Sequence, residues 1–366
     1  MYNYLLTSTL WLESFVKKEV QRQGYTITEV QDKAVYFQGD INAMARMNLW
    51  SRFWNLLYLI VWEKRNITDF DDYFDAVFKI NWDKYIPHGY QVNIKATSIK
   101  SELGATSTLQ SLAKKAIVKD LVWEDILDES PEKGIIEVRI LMENDTLRIL
   151  LNTSWNGLHK RGYREMTWDA PIKENIAAAL VIISQWRFRE PLWDTFCWSG
   201  TIAIEAAMIA MNKAPGMTRK FAFNTWPWLP ECLLEDEKKL AKTKEFEWEY
   251  TIYASDIDKH VLESAKRNAM FAWVDKAIRF QLMDYKDIIY KDIKGYLISN
   301  PPYGERLEDC DVIWIHKDLA RVFAENENLQ GWIITSHEEF DSYQKNKYKK
   351  RKLYNGWELC YFYRKM

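Results

Sequence analysis

Apolar and polar positions follow one texture up to about Asn152 and another from about Ala170 onward. In the first stretch short runs of β-type residues are mixed with helical periodicity. Tyr2 to Thr9 reads as a strand and Leu12 to Gly24 as an amphipathic helix, stopped by Gly24 because glycine accepts the left-handed backbone of a helix end. Further short strands are expected at Val35 to Phe37, Gln91 to Ala96, Ile135 to Leu141 and Thr146 to Asn152, with a helix near Ser107 to Trp123. This mixture has no glycine-rich loop and no cluster of reactive side chains. It predicts a small α+β binding module.

In the second stretch helices alternate with short apolar strands. Helices are expected at Ile172 to Trp186, Thr201 to Asn212 and Lys259 to Ala272. Strands are expected at Pro191 to Cys197, Tyr250 to Ser255, Ile278 to Leu282, Tyr296 to Ser299 and Trp332 to Thr335. Such alternation predicts a doubly wound parallel sheet whose ligand site lies at the carboxyl ends of its strands. Ala214 to Trp248 reads as an insertion. At the end of the chain, Asn355-Gly356 between Lys349 to Tyr354 and Trp357 to Tyr363 predicts an antiparallel hairpin, because Asn-Gly suits the turn that matches strand twist.

Composition alters this picture in one respect. Glycine, usually among the commonest residues, is outnumbered by tryptophan, 13 against 18. The 48% hydrophobic share excludes a disordered or collagen-like chain. With 50 basic and 52 acidic residues the whole protein offers no field for a polyanion, so a nucleic acid would have to be met by a local patch. Lys345 to Lys352 is the densest such run, with six basic residues in eight, and alone it reads as solvated surface. Cys197, Cys232, Cys310 and Cys360 form no C-x-x-C pair, and the five histidines have no ligand spacing, so neither a disulfide framework nor a metal site is expected. Met1 to Leu12 lacks a basic leader, and a cytoplasmic location is expected.

The candidate chemistry sits where predicted strands end. Asp194 to Thr201 (DTFCWSGT) is a strand end, tight loop and helix start. Asp256, in Asp256-Ile257-Asp258, closes the next strand, where a carboxylate meets a ribose diol, and Asp284 follows the third. Asn300-Pro301-Pro302-Tyr303 follows the fourth. Two prolines fix the backbone, so that the Asn300 carboxamide and the Pro301 carbonyl can face one point as acceptors. Such a pair suits an exocyclic amine, whose lone pair it would turn toward an electrophile, and Tyr303 would stack on the extruded base.

Together with Gly157-Leu-His-Lys-Arg-Gly-Tyr-Arg164, Ala170-Pro-Ile-Lys-Glu-Asn-Ile-Ala177 and Asn48-Leu-Trp-Ser-Arg52, these segments resemble the THUMP-domain RNA guanine-N2 methyltransferases, closest to bacterial proteins similar to large-subunit ribosomal RNA methyltransferase L. The resemblance covers nearly the whole chain. It implies an α+β ferredoxin-like and THUMP RNA-binding region over residues 1–155 and a Rossmann-like class I methyltransferase domain over 156–366, the doubly wound sheet ending in the antiparallel hairpin. By the same resemblance S-adenosylmethionine is the cofactor, with Asp194, Cys197, Gly200 and Thr201 around its methionine part, Glu174 and Asn175 closing that end, Asp256 on the ribose and Asp284 on the adenine. Asn300, Pro301, Pro302 and Tyr303 then hold the target guanine of a structured RNA, 23S ribosomal RNA in the first instance and tRNA as the alternative. Asn-Pro-Pro-Tyr alone is shared with DNA adenine methyltransferases. His159, Lys160, Arg161 and Arg164 are expected either to contact the RNA backbone or to serve a domain interface.

The chain departs from the family pattern at Thr195, where proline is usual, and at Trp198, where glycine lets the backbone approach the cofactor. Trp11, Trp155, Trp168 and Trp273 also stand at glycine positions of that pattern. Taken literally, Trp198 predicts a catalytically impaired RNA-binding member. Repeated replacement of glycine by tryptophan at turns is hard to reconcile with drift, and points to the reading of a UGA codon.

Overall fold

The computed structural model describes residues 1–121, 130–164, 172–288, 293–302, 309–343, 348–355 and 358–366. Trp168, Tyr303, Lys345, Lys347 and Gly356 lie outside the described residues, as do parts of the motifs around them. The chain forms two compact units, one of residues 1–8, 16–158 and 219–239, the other of residues 9–15, 159–218 and 240–366.

The first unit begins with β1 (Tyr2–Ser8), α1 (Glu13–Arg22), β2 (Thr26–Gln31), β3 (Ala34–Gly39), α2 (Asn42–Trp50) and β4 (Trp54–Lys64). This βαββαβ order is the ferredoxin-like arrangement. The chain continues through α3 (Phe70–Phe78), β5 (Tyr90–Ile99), α4 (Thr106–Leu121), β6 (Ser130–Glu143) and β7 (Thr146–Asn152). All seven described strands join one sheet in the order β2-β3-β1-β4-β7-β6-β5. Gly24 ends the first helix at a φ of +85° with open space where a Cβ would stand, so its backbone and not its size is what the turn needs. Asn48 of the resemblance is structural here. Its amide nitrogen donates to Met44 O and Thr153 Oγ1, and its oxygen accepts from Ser154 Oγ, which ties α2 to the end of β7.

The second unit contains α5 (Glu174–Ser184), β8 (Leu192–Asp194), α6 (Thr201–Ala210), β9 (Ile252–Asp256), α8 (Lys259–Phe271), β10 (Ile278–Leu282), β11 (Gly295–Ser299), α9 (Asp309–Glu325), β12 (Leu329–Thr335), β13 (Tyr348–Asn355) and β14 (Glu358–Lys365); α7 (Leu233–Lys242) precedes β9. The sheet order is β10-β9-β8-β11-β12-β14-β13. Strands β8 to β12 run parallel to one another, and β14 pairs antiparallel with both β12 and β13. Side chains alternate across β11: Tyr296 and Ile298 pack with residues of α5, α6 and α8, while Leu297 packs with Leu319, Ala320 and Phe323 of α9. Burial on both faces explains why these strands read as unbroken apolar runs. At the open edge, β13 exposes Lys349, Lys350, Arg351 and Lys352 in succession. No described helix is long and apolar enough to cross a membrane.

One buried histidine links α9 to the sheet. His316 Nδ1 lies 2.7 Å from Val312 O, a pure acceptor, so Nδ1 carries the proton and Nε2 accepts from Thr335 Oγ1 at 2.9 Å. Thr335 Oγ1 already accepts from His337 N–H at 3.0 Å. Burial, and then the neighbouring His337, hold the His316 imidazole neutral, down from its ordinary value near 6.5 to about 4. The folded state therefore binds this proton less readily than the unfolded chain. Stability from this group is complete above pH 6.5 and is lost as pH falls from there toward 4, by about 3 kcal/mol in all. Urea midpoints measured across that window are expected to fall steeply for the native chain and less steeply for His316→Gln. Parallel profiles for the two proteins would exclude His316 as the source.

Candidate active site

The strand order of the second unit reverses between β8 and β11. From β8 the chain winds one way through β9 and β10, then crosses back to β11 and β12. Loops leaving β8 and β11 consequently diverge and open a crevice at the carboxyl ends, the place where an open α/β sheet takes its ligand. Asp194 is the last residue of β8, and Asn300 follows β11 directly.

Asp194 is 1% exposed, and neither of its oxygens has a hydrogen-bond partner. Burial, and then the charge of Asp256, push its carboxyl well above the usual range, with only partial relief from the Phe196 amide. Asn300 is also buried, and its Oδ1 is unpartnered. Two orphaned acceptors flanking a switch point fit a ligand with a cationic group on one side and an N–H donor on the other.

Asp256 stands at the end of β9 and is partly desolvated, which raises its carboxyl. Its two oxygens accept from Asp258 N–H at 3.1 Å and Trp198 N–H at 3.0 Å. Asp258 has a different task, capping α8 by accepting from the His260 and Val261 amides. Asp284 accepts from Lys286 N–H, which turns the chain after β10. Asp256 and Asp284 line one cavity of about 300 Å³, together with Phe196, Trp198, Ile257, Met283, Tyr285, Pro302 and Ile315. Of the apolar members, Phe196, Ile257, Met283, Tyr285 and Ile315 were not singled out in the sequence; Ile257, Met283 and Tyr285 adjoin a strand-end acid, and that adjacency was their signal.

The remaining expected residues stand behind the crevice rather than in its lining. Cys197 is buried and its thiol is pushed far up by burial and by Asp194 and Asp256, so it offers no thiolate. Its amide donates to Ser255 O at 2.9 Å, which sews the loop to β9. Gly200 caps α6 at a φ of +80°, and a Cβ there would stand 3.1 Å from the Cβ of Ala265. Thr201 Oγ1 accepts from Arg164 Nη2 at 2.8 Å, and Arg164 also lies 3.7 Å from Glu174 Oε1. Burial raises the Glu174 carboxyl, and Arg164 opposes that shift. Asn175 is buried, with Nδ2 3.5 Å from Thr9 Oγ1. Arg161 pairs with Glu205 at 3.2 Å, both side chains sealed from solvent, and Tyr163 OH approaches the same oxygen. Arg161 pairs with Glu205, and Arg164 with Glu174 and Thr201, all within the second unit.

Trp198 occupies the most consequential position. Its amide is bonded to the end of β9, and its indole Nε1 donates to Asn300 O at 2.8 Å beyond the end of β11. Because β8 lies between those strands, the ring spans the carboxyl end of β8, where Asp194 is buried. Its φ is +49°, a conformation that costs a bulky residue about 1–3 kcal/mol.

Residues 161–361 match the family model described as "RMKL-like, methyltransferase domain", and residues 3–55 match the one described as "RlmL ferredoxin-like domain". The Bacillus subtilis protein "Putative RNA methyltransferase YpsC" is 36% identical over 370 residues, covering 99% of this chain and 95% of its own. Among solved structures, a "predicted N6-adenine-specific DNA methylase" from Listeria monocytogenes superposes with a TM-score of 0.92 at 35% identity over 100% of this chain and 96% of that one. The crystal structure of SMU.472 complexed with SAH gives 0.90 at 35% identity over 99% and 97%. The chain belongs to this methyltransferase family.

The unpartnered Asp194 carboxylate is a measurable defect of the ligand-free protein. Because its folded-state carboxyl is raised, the group disfavours folding once pH exceeds the unfolded carboxyl value. Asp194→Asn is expected to raise the urea midpoint at pH 7 by the equivalent of about 1–3 kcal/mol, with the gain disappearing at acid pH. A lowered midpoint at pH 7 would mean that the carboxylate has a partner.

Proposed function

We propose that this member of the family transfers a methyl group from S-adenosylmethionine to the exocyclic N2 amine of a guanosine in RNA, 23S ribosomal RNA in the first instance. The observation that carries this reading is the pair of orphaned acceptors, Asp194 and Asn300 Oδ1, on either side of the switch point. The printed name of the B. subtilis relative supports RNA, and the SAH-bound relative supports the cofactor. The residues present fit that cofactor. Asp194 would face its cationic methionine end, Asp256 the ribose, and Asp284 with Phe196, Ile257 and Tyr285 the adenine.

Bound S-adenosylmethionine supplies a methyl group already activated by a sulfonium. The chain's own contribution is placement and the exclusion of water. Asn300 Oδ1, with the Pro301 carbonyl, would accept both hydrogens of the target amine. That turns the nitrogen lone pair toward the methyl and stabilises the charge that grows on nitrogen. No side chain needs to take a proton before transfer, and among the described residues the cavity lining carries no cysteine or histidine. Tyr303 would stack on the base. The first unit would dock the RNA through its shape and phosphates, its ferredoxin-like part continuing into a THUMP region, and a cytoplasmic protein follows from such a substrate.

A second reading has one observation in its favour. The Trp198 indole lines the cavity and is fixed to Asn300 O, so the chain as written resembles an RNA-binding member that has lost its cofactor.

Protein purified from its own cells, incubated with labelled S-adenosylmethionine and deproteinised large-subunit RNA, is expected to yield N2-methylguanosine on nuclease digestion. Label appearing instead in tRNA, or as N6-methyladenine in DNA, would overturn the substrate assignment. Asn300→Ala is expected to lower kcat by about 10²–10³-fold while leaving cofactor affinity within a few-fold, the signature of an acceptor that acts on the transition state.

A further inference from the structure

We infer that residues 11, 155, 198 and 273 are glycine in the protein its own cell makes, their codons being UGA read as glycine. All four lie in the left-handed region, at φ values of +81°, +72°, +49° and +57°. Among described residues the other non-glycine members of that region are Asn66, Asn144, Asp145 and Asn212, short polar side chains that tolerate it, and the unbranched Lys33, Lys100 and Gln185; the four tryptophans are its only aromatic members. Tryptophan has no such excuse.

Each local structure asks for glycine on its own terms. Trp273 follows the C-cap Ala272 of α8, its amide donates to Met270 O, and Val274 N–H reaches back to Ala269 O. Those two bonds define the helix stop whose left-handed residue is usually glycine. Trp11 is the third residue of a turn closed by Leu12 N–H on Thr9 O, the place where a type II turn requires a positive φ. Trp155 ends a tight turn in which Asn152 Oδ1 accepts from both Ser154 and Trp155 amides. Two of the indoles bury little in return, Trp155 being 50% exposed and Trp273 60%.

A second class of tryptophan behaves differently. Trp50, Trp54, Trp82, Trp186, Trp226 and Trp332 are at most 5% exposed, and none has a positive φ. Trp62, Trp248 and Trp314 are exposed but also lack a positive φ, so the backbone and not burial sets the four apart, and that division is explained if two codons have been read as one. UGG encodes the buried class, and UGA, which some genetic codes read as tryptophan, encodes the turn class. With Trp168 counted among the turn positions of the sequence, the chain would hold 18 glycines and 13 tryptophans, restoring the usual order.

At residue 198 the consequence rests on the methyltransferase reading of the site. Glycine keeps the amide bond to Asp256 and removes the ring that reaches Asn300 O. The end of β8 then opens, and the unpartnered Asp194 can meet a cofactor cation.

The gene is expected to carry UGA at 11, 155, 198 and 273 and UGG at 54, 82 and 332, and peptide masses of the protein from its own cells are expected to show glycine at the four positions. UGG at 198 and 273 would overturn the inference, as would tryptophan-containing peptides there. Independently, Trp273→Gly and Trp155→Gly in the chain as written are each expected to raise the urea midpoint, and a lowered midpoint in both would count against glycine. In titration with S-adenosylmethionine, Trp198→Gly is expected to bind at least 100-fold more tightly than the literal chain. If the codons are UGA and the glycine form still fails to bind, the decoding stands and the methyltransferase reading of the site fails.

Discussion

A carboxylate without a partner, sealed at the point where the strand order reverses, sets the terms for the whole carboxyl edge of the second unit. Asp194 is poorly relieved by its neighbours, because Asp256 beside it carries the same charge and the Phe196 amide offsets the cost of burial only in part. Moving it to solvent would break the short strand β8, which is held on both sides by parallel partners. Around it, Asp256 and Asp284 face the cavity and Asn300 offers an acceptor across the crevice.

What keeps such a deficit in place is the rigidity of the elements behind it. Arg161 and Glu205 form a buried pair whose loss on either side would leave an uncompensated charge, at roughly 3–5 kcal/mol. Arg164 joins Glu174 at the start of α5 to Thr201 at the start of α6, so the two helices that flank the loop after β8 share one guanidinium. Thr195 Oγ1 and Ser299 Oγ, 3.2 Å apart, tie the ends of β8 and β11 at the crevice itself. Thr195, where the resemblance has proline, thus has a use that proline could not supply.

The sequence was most legible where local chemistry and strand ends coincide. Asp194, Asp256 and Asn300 could be found because each ends or follows a largely apolar, mostly buried strand, and Asp284 because it follows the next strand of the alternation. Strand β4 and helix α2 went unread, since Trp54 to Lys64 lacks clean alternation and Asn42 to Trp50 is buried almost all round. Asp258 could not be told from Asp256 by composition, and only the amides it caps reveal its separate role. Residues 219–239 looked like an insertion in the second half of the chain, yet they cluster with the first unit. Linear order carries no record of such a return. The buried pairing of Arg161 with Glu205, 44 residues apart, was hidden for the same reason.

The basic run at the end of the chain also changes meaning once it is placed. Lys349 to Lys352 forms the exposed border of the sheet, a strand with one side unpaired by any described strand. An unprotected border of this kind invites a second molecule to continue the ladder. Here two copies approaching border to border would bring four cations against four, without intervening acids on the strand itself. The same residues that looked like a lure for polyanions are therefore a barrier to fibrous self-association, one whose strength falls as salt screens it.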